Sequence, residues 1–263
     1  MIESLHSPHV GRVKALIGSR GVKERSESGM FVAEGIQALR EALTCQQGPA
    51  IETLYLSPSG AQRISDLDVT EVNVVEVSDE VMQAMTATVT PQGIVMVCSI
   101  PNFKLSEIAI IPESFFIYLD RIQDPGNAGT ILRSADAFGA RAIITSPQSV
   151  DMYSPKVVRS TAGSLWHLPI FERISLEQLQ TTIPNLGFAT LSADGKKSIR
   201  QFAIDENMVL IFGNEARGLA DLEVPASTQA LAIPMAGNAE SLNLSAAVSI
   251  VLYELTAKIA DDK

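Results

Sequence analysis

Short apolar runs alternate with helical patterns in the first hundred residues. The runs FVAE, ETLYL, NVVEV and GIVMVCSI are typical of strands. Apolar residues at helical spacing over 36–44 and 78–85 predict helices between them. Ahead of these, Ser7-Pro8 is a typical helix start, and the apolar positions that follow end at Gly18. This part is predicted to be a small α/β unit.

The alternation becomes stronger after residue 110. The runs FFIYL, RAIIT, GFATLS, MVLIFG and ALAIPM predict strands, and helical patterns occupy 128–138, 175–182 and 245–260. Parallel strands need crossover helices and are buried on both faces, which explains their continuous apolar runs. The pattern therefore predicts an open, mostly parallel α/β sheet with helices on both faces.

Two prolines mark the expected domain boundary. Pro101 and Pro112 flank a mixed stretch without clear periodicity, which predicts a linker over 101–113. We expect a basic helical segment over 1–27, a small α/β domain over 28–100 and a larger domain over 114–263. A chain of 263 residues is long enough for two ordinary domains.

The charge is unevenly distributed. The formal net charge of −10 argues against a protein that coats nucleic acid non-specifically, because that affinity comes mostly from Lys and Arg. Residues 1–25 nevertheless carry five basic residues against two acidic ones. Two interpretations stay open for this stretch: a solvated helix face, or a local contact with nucleic acid.

Cysteine content and the N-terminus indicate a cellular compartment. Cys45 and Cys98 are too few for a disulfide framework, and neither has the neighbours of a metal site. The chain shows no secretory signal and no apolar stretch of membrane-spanning length. We expect a cytoplasmic protein with no metal and no membrane partner.

Three dense motifs carry the candidate chemistry, and the first is DPGNAGTILR. Asn127 is predicted to be the N-cap of the following helix, and Gly126 and Gly129 permit close approach of a ligand. Arg133 lies further along, but helical side chains point back toward the N-terminus, so its guanidinium could reach a crevice there. Alternatively, Asn127 only caps and Arg133 pairs with an acid such as Asp136.

The second and third motifs, GNEARGL and IPMAGNAESLNLS, follow predicted strands. Gly213 permits a flat ligand to lie against the backbone, and Glu215 is next to it; capping of the following turn is the alternative for Glu215. Ser241 and Asn243 exceed what a helix cap needs, although Ser241 or Ser245 could serve as one. His167, in an apolar run, is expected to be a satisfied core or interface histidine.

Several common site signatures are missing from the sequence. It contains neither the GxGxxG fingerprint nor the Walker phosphate loop, so nucleotide-dependent oxidoreductase and ATPase functions are disfavoured. It also lacks GxSxG and HExxH, so hydrolase and zinc-protease functions have no support.

Together the three motifs resemble the signatures of the SpoU, or TrmH, branch of the SPOUT methyltransferases, in order and spacing, over roughly 115–258. The N-terminal part, with SGMFVAEGIQALREAL, resembles more loosely the small RNA-binding domain of many members. The resemblance implies a deep trefoil knot and a homodimer. It also implies S-adenosyl-L-methionine-dependent 2′-O-methylation of a ribose in ribosomal RNA or, as the second choice, transfer RNA.

The resemblance also assigns residues by motif position. It implies that the catalytic group comprises Asn127, Arg133, Glu215, Ser241 and Asn243. It implies that the cofactor is bound by Leu191, Ser192, Gly213, Ile233, Met235 and Leu242. Candidate RNA contacts among the basic residues are Arg12, Lys14, Lys23, Lys156 and Arg159. The main alternative function is a non-catalytic RNA-binding or ribosome-assembly factor with the same fold.

Overall fold

The structure is a computed structural model, and it divides the chain into two compact units. The first comprises Met1–Asn102 and Tyr153–His167, and the second comprises Phe103–Met152 and Leu168–Lys263. The structure describes all residues except 109, 113, 193–194, 205, 216, 221 and 262–263, and it describes only the backbone of 258–261.

The chain up to residue 102 alternates helices and short strands. In order they are α1 Pro8–Ile17, α2 Gly21–Ser28, β1 Met30–Glu34, α3 Ile36–Thr44, β2 Ile51–Leu56, α4 Pro58–Arg63, β3 Val74–Glu76, α5 Asp79–Met85 and β4 Ile94–Ser99. Helix α2 lies almost wholly within the predicted basic helical segment 1–27, but it was not predicted as a separate helix because its residues GVKERSES carry no apolar stripe.

The remainder of the chain alternates in the same way. In order its elements are β5 Phe115–Leu119, α6 Pro125–Ala137, β6 Ile143–Thr145, α7 Pro155–Ser160, β7 Ile170–Phe171, α8 Leu176–Thr182, β8 Gly187–Leu191, β9 Lys197–Ser198, β10 Met208–Phe212, β11 Gln229–Ala232 and α9 Leu244–Asp261.

The first unit is built on a four-stranded sheet of order β1-β4-β2-β3. Helix α1 begins as predicted, with Ser7 as N-cap and Pro8 in the first turn, and it ends at Gly18. Its buried residues Val10, Val13 and Leu16 pack with α5 on one face of the sheet. The basic residues of α1 therefore lie on its exposed side.

The opposite face of this sheet is covered by the segment Tyr153–His167. The ring of Phe31, on β1, lies 5.1 Å from that of Tyr153 and 6.2 Å from that of Trp166. The Trp166 indole donates to the Pro49 carbonyl at 3.0 Å. A stretch between β6 and β7 thus completes the first unit, a connection that the sequence pattern does not indicate. The predicted domain bounds stay a prediction.

The second unit is built on a seven-stranded sheet of order β7-β6-β5-β10-β8-β11-β9. Every neighbouring pair in it is parallel. Strands β5, β6 and β10 are buried along their whole length, as expected of strands covered on both faces. The prediction of a parallel α/β sheet beside a smaller α/β unit is confirmed.

The order of the strands reverses direction next to β10. The chain moves outward from β5 through β6 to β7, and α8 then returns it past β5 to β8. Because such crossovers are right-handed, α6 and α8 lie on opposite faces. Residues of α8 pack with Phe116 and Val209 on one face, whereas α6 packs against α9. The reversal leaves a crevice at the carboxyl ends of the central strands.

Candidate functional site

A cavity of about 680 Å³ opens at the carboxyl edge of the seven-stranded sheet. The sheet register pairs Leu191 of β8 with Leu231 of β11, and Ile211 of β10 with Thr190 of β8, so these strands end at one level. The lining comes from the loops that follow them and from the first turns of α6 and α9. All three sequence motifs therefore meet in one cavity.

The first motif begins helix α6 with a different cap from the predicted one. Asp124 is the N-cap, and its Oδ1 accepts from the Asn127 backbone N–H at 2.7 Å. Pro125 occupies the first helical position, where its missing N–H and fixed φ are favourable, so the helix starts earlier than expected. The prediction that Asn127 is the N-cap is wrong. Its side-chain amide makes tertiary contacts instead.

Glu215 of the second motif holds this loop in place. Its carboxylate accepts from the backbone N–H of Gln123 at 3.4 Å and of Asp124 at 3.3 Å, and from the Asn127 Nδ2 at 3.2 Å. Hydrogen bonds to a charged acceptor are stronger than neutral ones. Glu215 therefore connects the loop after β10 to the start of α6, rather than capping its own turn.

Asn243 of the third motif completes a chain of side-chain amides. Its Nδ2 donates to the Asn127 Oδ1 at 3.0 Å. Its Oδ1 accepts from the backbone N–H of Ser245 at 3.0 Å and of Ala246 at 3.3 Å, so Asn243 also caps α9. Asn243 is therefore the N-cap of α9, a role that the sequence analysis considered for Ser241 or Ser245. Ser241 lines the cavity and is exposed.

In the turn of the second motif, the backbone of Gly213 lies close to the backbone of Gly218. A Cβ on Gly213 would lie 2.4 Å from the Gly218 carbonyl oxygen, so only glycine fits there. Asn214 bridges Gly218 through backbone hydrogen bonds of 3.0 and 2.8 Å. Its Oδ1 accepts from the Arg217 N–H at 3.2 Å.

Arg121 and Asn214 are site residues that the sequence analysis missed. The Arg121 carbonyl accepts from the Asn214 Nδ2 at 2.8 Å, and its N–H donates to the Ser146 Oγ at 2.7 Å. Arg121 has a φ of 49°, which is uncommon for a residue with a side chain. It thus ties together three loops at the edge of the sheet. Its position two residues after the end of β5 was the available signal.

The structure places the predicted cofactor residues together. Leu191, Ser192, Gly213, Ile233, Met235 and Leu242 all line the cavity. So do Asn127, Glu215, Ser241 and Asn243 of the predicted catalytic group. Their roles stay predictions, although their common location agrees with them.

Arg133 is the predicted catalytic residue that the cavity does not contain. It lies on α6 with an exposed side chain, and it is not among the residues that line the cavity. Within the part of the chain that the structure describes, it makes no hydrogen bond or ion pair, so the alternative of a pair with Asp136 is not observed. Its catalytic role stays a prediction.

The predicted RNA-binding side chains differ in whether an acidic residue of the same chain already pairs with them. Arg12 binds both carboxylate oxygens of Glu52, and this hydrogen bonding raises the pKa of Arg12. The Lys23 Nζ lies 3.7 Å from the Glu27 Oε1. Lys14 has no partner among the described residues.

The second basic pair, Lys156 and Arg159, lies on α7 with exposed side chains. Because α1 and the segment Tyr153–His167 cover opposite faces of the four-stranded sheet, the two basic sets do not share a face. His167 has a polar partner as expected, with its Nε2 at 3.1 Å from the Glu41 Oε2, but it is exposed rather than buried in the core.

Neither a membrane-spanning helix nor a metal-binding cluster occurs among the described residues. None of their helices is long and apolar enough to cross a membrane. In the same part of the chain, His, Cys, Asp and Glu form no group of three or more that could hold a metal ion.

Comparison with known families identifies both halves of the chain. The model of the SpoU rRNA Methylase family matches residues 114–253. The model of the MRM3-like substrate binding domain matches residues 8–96.

Curated relatives are similar over nearly the full length. The 23S rRNA (guanosine(2553)-2′-O)-methyltransferase RlmP of Bacillus subtilis is 32% identical, over 89% of this chain and 91% of the relative. The 23S rRNA (uridine(2479)-2′-O)-methyltransferase of Streptomyces viridochromogenes is 29% identical, over 92% and 86%.

Solved structures are similar in fold as well. The AdoMet-bound rRNA methyltransferase of Sinorhizobium meliloti has a TM-score of 0.82 at 30% identity, covering 98% of this chain and 97% of that one. The SpoU methyltransferase AviRb of Streptomyces viridochromogenes, in complex with AdoMet, has a TM-score of 0.81 at 26% identity, covering 97% and 100%.

Proposed function

Because the chain belongs to the SpoU rRNA methylase family, we propose that it transfers a methyl group from S-adenosylmethionine to a ribose 2′-hydroxyl in ribosomal RNA. The observation that carries this proposal is the single cavity into which all three motifs converge. The two curated 23S rRNA 2′-O-methyltransferases favour ribosomal over transfer RNA.

The cofactor is S-adenosylmethionine, and the cavity fits it. A volume of about 680 Å³ lies within the usual range for small-ligand pockets. Leu191, Phe212 and Ile233 supply apolar walls for an adenine ring, and Gly213 lines the same cavity while its missing Cβ leaves room for the Gly218 backbone. When bound, the cofactor supplies an activated methyl group on a sulfonium.

The polar residues of the cavity hold the acceptor side in a fixed geometry. The chain of hydrogen bonds from Glu215 through Asn127 to Asn243 joins three loops and leaves few alternative arrangements. Positioning of two reactants supplies a large part of the rate in a displacement of this kind. We assign Glu215 and Asn243 to holding Asn127, and Asn127 and Ser241 to contacts with the substrate.

Arg133 acts on the substrate from a second copy of the chain. Its exposure on α6, outside the cavity of its own subunit, supports this assignment and the proposal of a homodimer. The pKa of arginine lies above about 12, so a role as general base is unfavourable. Arg133 instead clamps a phosphate or stabilises the forming alkoxide, and the proton passes to phosphate or water.

The first unit supplies the RNA contacts. The match to a substrate binding domain supports this, together with exposed Lys14, Lys156 and Arg159. A trefoil knot in the second unit and a cytoplasmic location remain expectations from the family resemblance and from the sequence.

The test is incubation of the purified protein with methyl-labelled cofactor and total RNA. A 2′-O-methyl group removes the nucleophile of alkaline cleavage, so the label should appear in alkali-resistant dinucleotides of ribosomal RNA. Label on a base, or in transfer RNA only, would contradict the proposal. Cofactor binding without transfer to any RNA would favour the non-catalytic assembly factor.

A further inference from the structure

The ionisable residues that line the cavity are all acidic. Asp124, Glu215 and Glu240 contribute carboxylates, and none of the described lining residues is Lys, Arg or His. These carboxylates contribute a negative field inside the cavity. Such a field favours a cationic occupant over a neutral one of the same shape.

Only one of these carboxylates has no structural task. Asp124 caps α6, and Glu215 accepts hydrogen bonds from the loop before it. Glu240 is exposed, and it makes no hydrogen bond or ion pair with any residue that the structure describes. It lies directly before Ser241, on the loop that forms one wall of the cavity. The Glu240 carboxylate is thus available to interact with a ligand in the cavity.

The methyl donor and its spent form differ mainly by one charge. As the methyl group leaves, the electron pair of the S–CH3 bond stays on sulfur, and the sulfonium becomes a neutral thioether. S-adenosylmethionine carries a net charge of about +1, whereas S-adenosylhomocysteine is neutral overall, and both share the same adenosine, ammonium and carboxylate. A residue that tells them apart by electrostatics must respond to this charge.

We propose that Glu240 is a specificity-determining residue that makes the cavity prefer the sulfonium form of the cofactor over the neutral product. The inference rests on the proposed function, since it assumes that this cavity binds the cofactor. Attraction between Glu240 and the sulfonium increases the affinity for the donor. Its loss after transfer promotes release of the product.

The expected effect is modest because Glu240 is exposed to water. Two unit charges about 4 Å apart in a highly screened environment change an equilibrium about fivefold. An effect of this size would keep the product from saturating the cavity at comparable concentrations. Because the interaction is exposed, salt should weaken it.

Calorimetric titration of each cofactor form tests the proposal. For Glu240→Gln we expect the ratio of the product Kd to the donor Kd to fall about fivefold, through weaker donor binding alone. Glu177→Gln is the matched control, since Glu177 is exposed on α8, outside the cavity lining, and both variants change the net charge of −10 by one unit. The control should retain the wild-type ratio.

Salt gives a second readout of the same effect. Raising the salt concentration should lower the ratio of the product Kd to the donor Kd in the wild type, and lower it less in Glu240→Gln. If Glu240→Gln weakened the binding of both cofactor forms equally, the inference would be overturned, because Glu240 would then bind a group that both forms share. An unchanged ratio would also overturn it. Failure of the wild type to bind S-adenosylmethionine would instead reject the proposed function, and this inference with it.

Discussion

Two predicted catalytic residues, Asn127 at the mouth of the cavity and Arg133 on the outer face of α6, differ in whether neighbouring residues hold their side chains. At the mouth, Asn127 is held by Glu215 and Asn243, each contact being within 3.2 Å. Six positions along the same helix, Arg133 is exposed and without a partner among the described residues. One chain therefore fixes the side chain of Asn127 by itself. Arg133, by contrast, is unengaged among the described residues, which agrees with the proposal that it acts in a second copy of the chain.

The largest effect should come from replacing Arg133, which has no partner among the described residues. We expect Arg133→Ala to lower turnover about 1,000-fold, as loss of a charge that stabilises the transition state does. The Kd of S-adenosylmethionine should stay within twofold, because Arg133 does not line the cavity of its own chain. Single-turnover kinetics and calorimetry measure the two quantities.

The conservative variant Arg133→Lys is the control for charge alone. It keeps the positive charge but loses the planar fork that binds phosphate at two points. We expect most of the activity to be lost here too. Turnover close to that of the wild type would contradict the clamp role.

The next effect should come from the cofactor side. Gly213→Ala places a Cβ against the Gly218 backbone, so the turn of the second motif must shift. We expect the Kd of S-adenosylmethionine to rise about 100-fold. Gly237→Ala is the matched control, because a Cβ there meets no atom within 4 Å. Similar affinities of the two variants would show that the close approach at Gly213 is unimportant.

Asn243→Asp separates the two roles of this residue. The aspartate keeps an oxygen to cap α9 but cannot donate to Asn127. We expect turnover to fall about tenfold, the value of one lost hydrogen bond to a functional group, with Tm within about 2 °C of the wild type. Asn243→Ala, which removes the cap as well, should also lower Tm by several degrees. Equal Tm losses in both variants would contradict this separation.

The smallest effect concerns RNA affinity. Lys14→Gln should weaken RNA binding a few-fold and lower the slope of log Kd against log salt by about 0.7, the loss of one phosphate contact. Arg12→Gln should change the slope less, because Glu52 already neutralises Arg12. Fluorescence anisotropy over a salt series measures both slopes. A larger effect of Arg12→Gln would mean that RNA displaces Glu52.

The sequence predicted those features of the fold and site that depend on local pattern. Buried strands such as FFIYL and MVLIFG show continuous apolar runs, and the motif residues follow the strand ends that form the cavity. Helix α2 was not separated from α1 within the predicted helical segment 1–27, because it has no apolar stripe. Strand β9 was missed because it has only two residues.

Tertiary contacts explain the remaining differences. The cap of α6 was misplaced because Asp124 and Asn127 are both good N-caps, and Pro125 decided between them. The packing of Trp166 in the first unit depends on Phe31 and Pro49, more than 100 positions away in the chain. No local pattern encodes such a contact.

Mixing two impaired variants, at a cofactor concentration well below the raised Kd of Gly213→Ala, tests most directly whether a second copy completes the site. Arg133→Ala keeps an intact cavity, and Gly213→Ala keeps an intact Arg133. If Arg133 acts across the subunit interface of a two-fold dimer, random exchange of subunits gives about one quarter of sites with both parts intact. We predict that the mixture recovers about a quarter of wild-type methyl transfer to ribosomal RNA. Activity no higher than that of the separate variants, after subunit exchange is confirmed by mass spectrometry, would contradict the account.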